Sequence, residues 1–203
     1  MNEEKRSYNN SNRLVEAEQT KLGIMKAFGR LWTRYSIKDI TLTMISEEAN
    51  VTTRTILRKF GSKEELINES LSFDPAGISA DREGAKVGDV DEILKNLLSN
   101  YEAIGDAAIR TIHLEPELDI ARKIGAKGRI LHMDWCTRMF APYLPERQST
   151  DFEIQLASFI AATEIYLWKL LRKDLNLSKE KTFSVFKNIV EGLIYKNNSN
   201  PKS

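Results

Sequence analysis

Arg54, Arg58, Lys59 and Lys63 crowd one short segment, and no acidic residue falls between Thr52 and Lys63. A guanidinium group presents a planar fork of donors and an ammonium group a compact point charge, so the set suits phosphate oxygens and the edges of bases. Hydroxyls at Thr52, Thr53 and Thr55 lie among these cations. Two further groupings carry possible chemistry: His113 with Glu115, and His132 with Asp134 and Cys136. On a helix His132 and Cys136 share a face, as the ligands of a metal or a nucleophile and its base would. No second closely spaced ligand pair accompanies them, and no orienting third group is identifiable. The expectation is therefore core packing, with no catalytic residues, no metal and no cofactor. Neither a Gly-rich phosphate loop nor a His-Glu-x-x-His pattern occurs.

Net charge is +1, from 30 basic and 29 acidic side chains. That balance argues against a generally adhesive nucleic-acid coat and favours local, geometrically defined phosphate contact. Hydrophobic residues make up 41% and charged residues 29%, an ordinary globular proportion. Cys136 is the single cysteine, which excludes an intrachain disulfide and fits a reducing compartment. The polar start, Met1 to Arg6, is followed by no apolar run, so neither a signal peptide nor a membrane span is expected and the cytoplasm is the default location.

The elements that must position these residues read as helices throughout. Residues 1–13 are polar and suggest a loose tail. Ile24, Ala27, Phe28, Leu31, Trp32 and Tyr35 recur with helical spacing, and Leu42, Ile45 and Ala49 define a brief second helix that Asn50 can end in the left-handed conformation. Thr52 can cap a third helix with Ile56 and Phe60 inward and Gly61 at its close. Thr53, Arg54, Leu57, Arg58 and Lys59 then face outward. Ser62 to Glu65 has the form of a capping box opening a fourth helix. Pro75–Gly88 reads as an interdomain loop. Beyond it, helical spacing resumes over about 89–113, Pro116 suits a first turn, Gly125 and Gly128 interrupt, and a helix follows over about 128–140. The last two helices, 151–173 and 178–197, are strongly marked, the former apolar on two faces. The fold class is thus all-α: a three-helix helix-turn-helix domain within 1–70, and a larger regulatory and dimerisation domain over 71–203.

Two short helices joined by a tight turn and braced by longer ones can set one helix into a major groove roughly 12 Å wide. The run from Thr41 to Leu66, with Ile45 and Ala49 four apart, Val51 then Thr52 at the turn, Thr55, Phe60 and Ser62-Lys63, resembles the DNA-binding domain of the tetracycline-repressor (TetR) family. The resemblance implies that Thr53, Arg54 and Arg58 contact bases with Thr43 assisting, and that Thr55, Lys59 and Lys63 hold phosphates. Leu57 stands where most members carry Tyr, so a phosphate-binding hydroxyl is absent there. It further implies a double-stranded DNA operator, a homodimer and a small-molecule effector, with no enzymatic activity and no membrane partner. The alternative is a family-like protein that has lost DNA binding and acts through a protein or small molecule.

In the second domain the family commonly encloses an apolar effector cavity, for which Tyr101, His113, Met133, Trp135, Met139, Phe140, Phe159 and Trp168 are the candidates. The second face of the 151–173 helix, Ile154, Ala157, Ala161, Ile165 and Trp168, is expected to join Phe186, Val190 and Leu193 in a four-helix dimer interface.

Overall fold

The computed structural model describes residues 2–72 and 84–198, with side chains from 15 to 70 and from 84 to 195. Among these residues every regular element is helical. The chain divides into two compact units, Met1–Ala76 and Gly77–Ser203. The expected interdomain loop lies, over 75–83, outside the described residues.

In the first unit, α1 spans Asn2–Arg34, α2 Leu42–Glu48, α3 Thr53–Phe60 and α4 Lys63–Ser72. The helix of α1 runs through residues 2–13, where a loose tail was expected. Neither proline nor glycine occurs before Gly23, and extending a nucleated helix costs far less than starting one. Ile24, Ala27, Phe28 and Leu31 of α1 meet Ile45, Ile56, Leu66 and Ile67 in a core where each is at most 5% exposed.

In the second unit, α5 spans Val90–His113, α6 Asp119–Met139, α7 Phe152–Ala162, α8 Ile165–Lys169 and α9 Lys179–Asn198. A 3₁₀ turn, Ala141–Tyr143, follows α6, and a π-helical turn, Leu170–Asp174, follows α8. Asp89 caps α5 by accepting from the Glu92 amide at 3.1 Å. The sequence suggests a helix start near Pro116 and an interruption at the two glycines. Instead α6 begins at Asp119 and runs unbroken past Gly125 and Gly128. Arg129 reaches back from α6 to Glu115 in a two-pronged pair at 2.8 and 3.2 Å, and a Cβ at Gly125 would overlap the Glu115 carboxylate. Gly125 is therefore the residue that lets this pair close.

The 151–173 segment is not one helix. The Tyr101 hydroxyl donates to the Thr163 carbonyl at 2.7 Å, and the Thr163 hydroxyl donates to the Phe159 carbonyl at 2.7 Å. A carbonyl and a side chain that would otherwise serve a continuous helix are engaged elsewhere, and Glu164 turns extended at ψ 145°. Among the described residues this Phe152–Asp174 stretch is long and apolar enough to cross a membrane. It is, however, broken midway, and it sends Phe159, Ile165, Trp168 and Leu171 into the core of the unit. Close contact with α5 depends on Gly105, where a Cβ would lie 2.4 Å from the Trp168 ring.

Candidate nucleic-acid interface

Four devices fix the pose of α3. Ile45 and Ile56, both fully buried, lock α2 and α3 to one core. Between them Asn50 adopts φ 52°, and the Val51 amide donates to the Ser46 carbonyl at 2.9 Å. Asn tolerates that left-handed conformation better than most residues. The Thr52 hydroxyl oxygen accepts from the Thr55 amide at 3.1 Å, capping the helix start. At the other end Gly61, at φ 80°, donates its amide to the Leu57 carbonyl at 2.8 Å. A helix of eight residues thus has both ends closed by specific bonds.

The next turn is set by Ser62, which accepts from the Glu65 amide at 3.0 Å and so starts α4. Behind α3, Arg30 and Arg34 of α1 grip the Glu48 carboxylate, each at 2.6 Å, and tie α1 to the end of α2. The Arg30 bond first, then that of Arg34, holds the Glu48 carboxyl below its ordinary range. Lys21 pairs with Glu69 and so ties α1 to α4. These ties escaped the sequence reading, because nothing local marks partners 14 and 18 residues apart.

On the outer face, Arg54, Leu57 and Arg58 are exposed, Leu57 by 43%. Among the described residues neither arginine forms a hydrogen bond or an ion pair. Thr43 of α2 is exposed and Thr53 half-buried. The residues expected to anchor phosphates lie differently. Lys59 donates to the Ala17 carbonyl of α1 at 2.7 Å, and Lys63 to the Ile40 carbonyl at 2.5 Å. The Thr55 hydroxyl sits 3.0 Å from that of Thr52. All three polar groups are thus engaged within their own domain. A long aliphatic stem can swing its charge inward or outward, and position along a helix does not decide which. The arrangement therefore presents two unpaired guanidinium forks flanking an apolar side chain, on a small helix whose orientation is fixed from behind.

A short capped helix of this kind, seated across a tight turn from a second and presenting unpaired arginines, defines a helix-turn-helix DNA-binding domain. Residues 24–69 match the family model described as bacterial regulatory proteins, tetR family. Residues 24–69 are thus similar to the DNA-binding domain of that family of regulatory proteins. No curated protein and no solved structure matches it.

In the second unit six of the residues expected around an effector gather in one core cluster: Tyr101, Trp135, Met139, Phe140, Phe159 and Trp168. The Phe140 and Phe159 rings stack at 4.4 Å, Trp135 meets Phe140 edge-on at 6.1 Å, and Tyr101 lies 6.2 Å from Trp168. His113 and Met133 are solvent-exposed and stand outside that cluster. His132, Cys136 and Thr163 form a buried polar knot, with the Thr163 hydroxyl 3.2 Å from the His132 Nε2 and 3.4 Å from the Cys136 sulfur.

The residues expected in a dimer interface divide in two. Ile154, Ala157 and Ala161 are exposed on one face of α7, Ile154 by 68%. Ile165, Trp168, Phe186 and Val190 are interior, and Leu193 is half-buried against the same core. The break at Thr163 explains the difference: α8 does not continue the face of α7, so positions sharing a face on one continuous helix part company.

Proposed function

We propose that the protein is a dimeric, ligand-responsive repressor that reads a near-palindromic operator through α3. One observation carries this: Arg54 and Arg58 are exposed and unpaired on a helix whose ends and back are otherwise fully bonded. An arginine left without a carboxylate partner keeps its fork free for the O6 and N7 acceptors of guanine or for a phosphate. Leu57 between them suits apolar contact with a thymine methyl. Thr53 and Thr43 are the further candidates for base edges, while Thr52 and Thr55 serve chiefly to start the helix. Lys59 and Lys63 would reach phosphates only by leaving the carbonyls of Ala17 and Ile40.

The exposed apolar residues of α7, with Ile189 and Tyr195 exposed on α9, support pairing of two copies through these helices. Two recognition helices related by a two-fold axis then enter major grooves about 34 Å apart, or a multiple of it. A ligand acting through the second unit shifts this equilibrium by its difference in affinity between the two head spacings, typically about 1–3 kcal/mol. Selection of bound duplexes from a random oligonucleotide pool tests the proposal. Enrichment of a sequence with inverted half-sites is expected. Recovery of no preferred sequence overturns it and favours action through a protein partner.

A further inference from the structure

Between α5, the π-helical turn and the start of α9, the second unit opens a cavity of about 500 Å³, a size that suits a small organic ligand. It adjoins the core cluster, in which Leu98 lies and against which Phe183 packs. Its apolar surface comes from Leu98 of α5 and Phe183 of α9, with Ser99 and Ser184 beside them.

The wall holds an unmade hydrogen bond. Thr182 is 1% exposed, and its hydroxyl has no hydrogen-bond partner among the described residues. A helical threonine ordinarily bonds back to the carbonyl four residues earlier. Here the Ser178 carbonyl accepts from the Thr182 amide at 2.9 Å and the hydroxyl is left over. Buried polar groups are almost always satisfied, and one orphaned beside an open cavity is an unused contact for whatever fills it.

Charge selects the kind of molecule. The Glu102 carboxylate is already spoken for: it accepts from Trp168 Nε1 at 2.9 Å and from Arg172 at 2.6 and 3.1 Å. Arg172 in turn donates to the Leu177 carbonyl. These two charges cancel within the fold. Glu180 is held by the Ser178 hydroxyl at the head of α9. Lys95 closes no ion pair among the described residues, and Lys179 is 67% exposed with a single 3.7 Å approach to Glu102. Two ammonium groups, Lys95 and Lys179, therefore stand at the rim against the one Glu180 carboxylate, a net positive charge to which the first turn of α9 adds its own partial positive charge.

We propose that this cavity binds a small amphipathic organic anion, an aromatic or short aliphatic carboxylate. Its apolar body lies on Leu98 and Phe183, its carboxylate meets Lys95 and Lys179, and a polar atom bonds the Thr182 hydroxyl. The inference stands apart from operator binding, and its test contains no DNA. Titration calorimetry of the full chain with phenylacetate, benzoate and hexanoate, each up to about 5 mM, is set against the neutral phenylacetamide and the cationic phenethylamine. At least one carboxylate is expected to bind, with the amide and the amine weaker by roughly tenfold or more. Thr182→Val is nearly isosteric and removes the orphan hydroxyl, so it should leave the melting temperature equal or raised while weakening the carboxylate by roughly fivefold or more. Lys95→Gln should weaken it as well. Binding of none of the three carboxylates overturns the proposal. So does preference for the amine, or carboxylate binding that both substitutions leave unchanged.

Discussion

Arg54 and Lys63 carry the same charge in the same basic segment, yet their side chains end in different places. The Lys63 amine rests on the Ile40 carbonyl, whereas the Arg54 guanidinium has no partner among the described residues. Charge and helix face could be read from the sequence, because Ile56 and Phe60 fix which side of α3 turns inward. The direction taken by a flexible stem could not, and the Lys59 and Lys63 amines end on the carbonyls of Ala17 and Ile40. Arg54 is exposed on the outer face, and its proposed base contact gives a specific loss. Arg54→Ala should cost about 1–3 kcal/mol of discrimination at one base pair of the half-site, with smaller effects elsewhere. Competition binding across a panel of single-base operator variants measures it. Uniform weakening over the whole panel would instead make Arg54 a phosphate contact.

Elements closed by neighbours in the chain were legible, and elements closed from a distance were not. Thr52, Asn50, Gly61 and Ser62 set the bounds of α3 and the start of α4 through bonds no more than five residues long, so residue types alone placed them. The break between α7 and α8 depends on Tyr101, which lies 62 residues from Thr163, and no local signal announces it. The π-helical turn after α8 is held in the same long-range way, through the Glu102–Arg172 fork to α5. The Arg172 bonds first, then that of Trp168, outweigh the upward push of burial and hold the Glu102 carboxyl at about 2, against an ordinary 4.5. A carboxyl depressed on folding stabilises the fold fully above the unfolded value and loses that contribution as pH falls toward the folded one. The fork should therefore contribute about 2–3 kcal/mol at neutral pH and fade between about pH 4.5 and 2. Urea unfolding of Glu102→Gln against the native chain across that range should show a gap that closes with acid. A gap of constant size would mean that the substitution acts through packing and not through the charge.

At the scale of the molecule, the helical class and the order of the elements followed from apolar spacing, while the split between interior and exposed apolar residues did not. Both faces of the 151–173 segment are apolar, so periodicity marks two stripes without ranking them, and only the break at Thr163 separates them. What remains outside on α7 is Ile154, Ala157 and Ala161, with Tyr166 and Leu170 exposed beyond the break and Ile189 and Tyr195 exposed on α9. The small side chains of Ala157 and Ala161 allow close approach of a second helix, and Ile154 supplies the apolar weight. If two copies meet there, a carboxylate at Ala157 is forced into a desolvated seam against its own symmetry mate, where like charges repel and burial adds to the cost. In a lone chain the same carboxylate stands in water on an exposed helix face and changes little. Ala157→Glu should therefore convert the protein from twice the chain mass to the chain mass in sedimentation at micromolar concentration, with helical content kept, and should weaken operator binding with it. A native chain that already sediments as a monomer would remove the dimer from the proposal, and with it the inverted repeat expected of the operator.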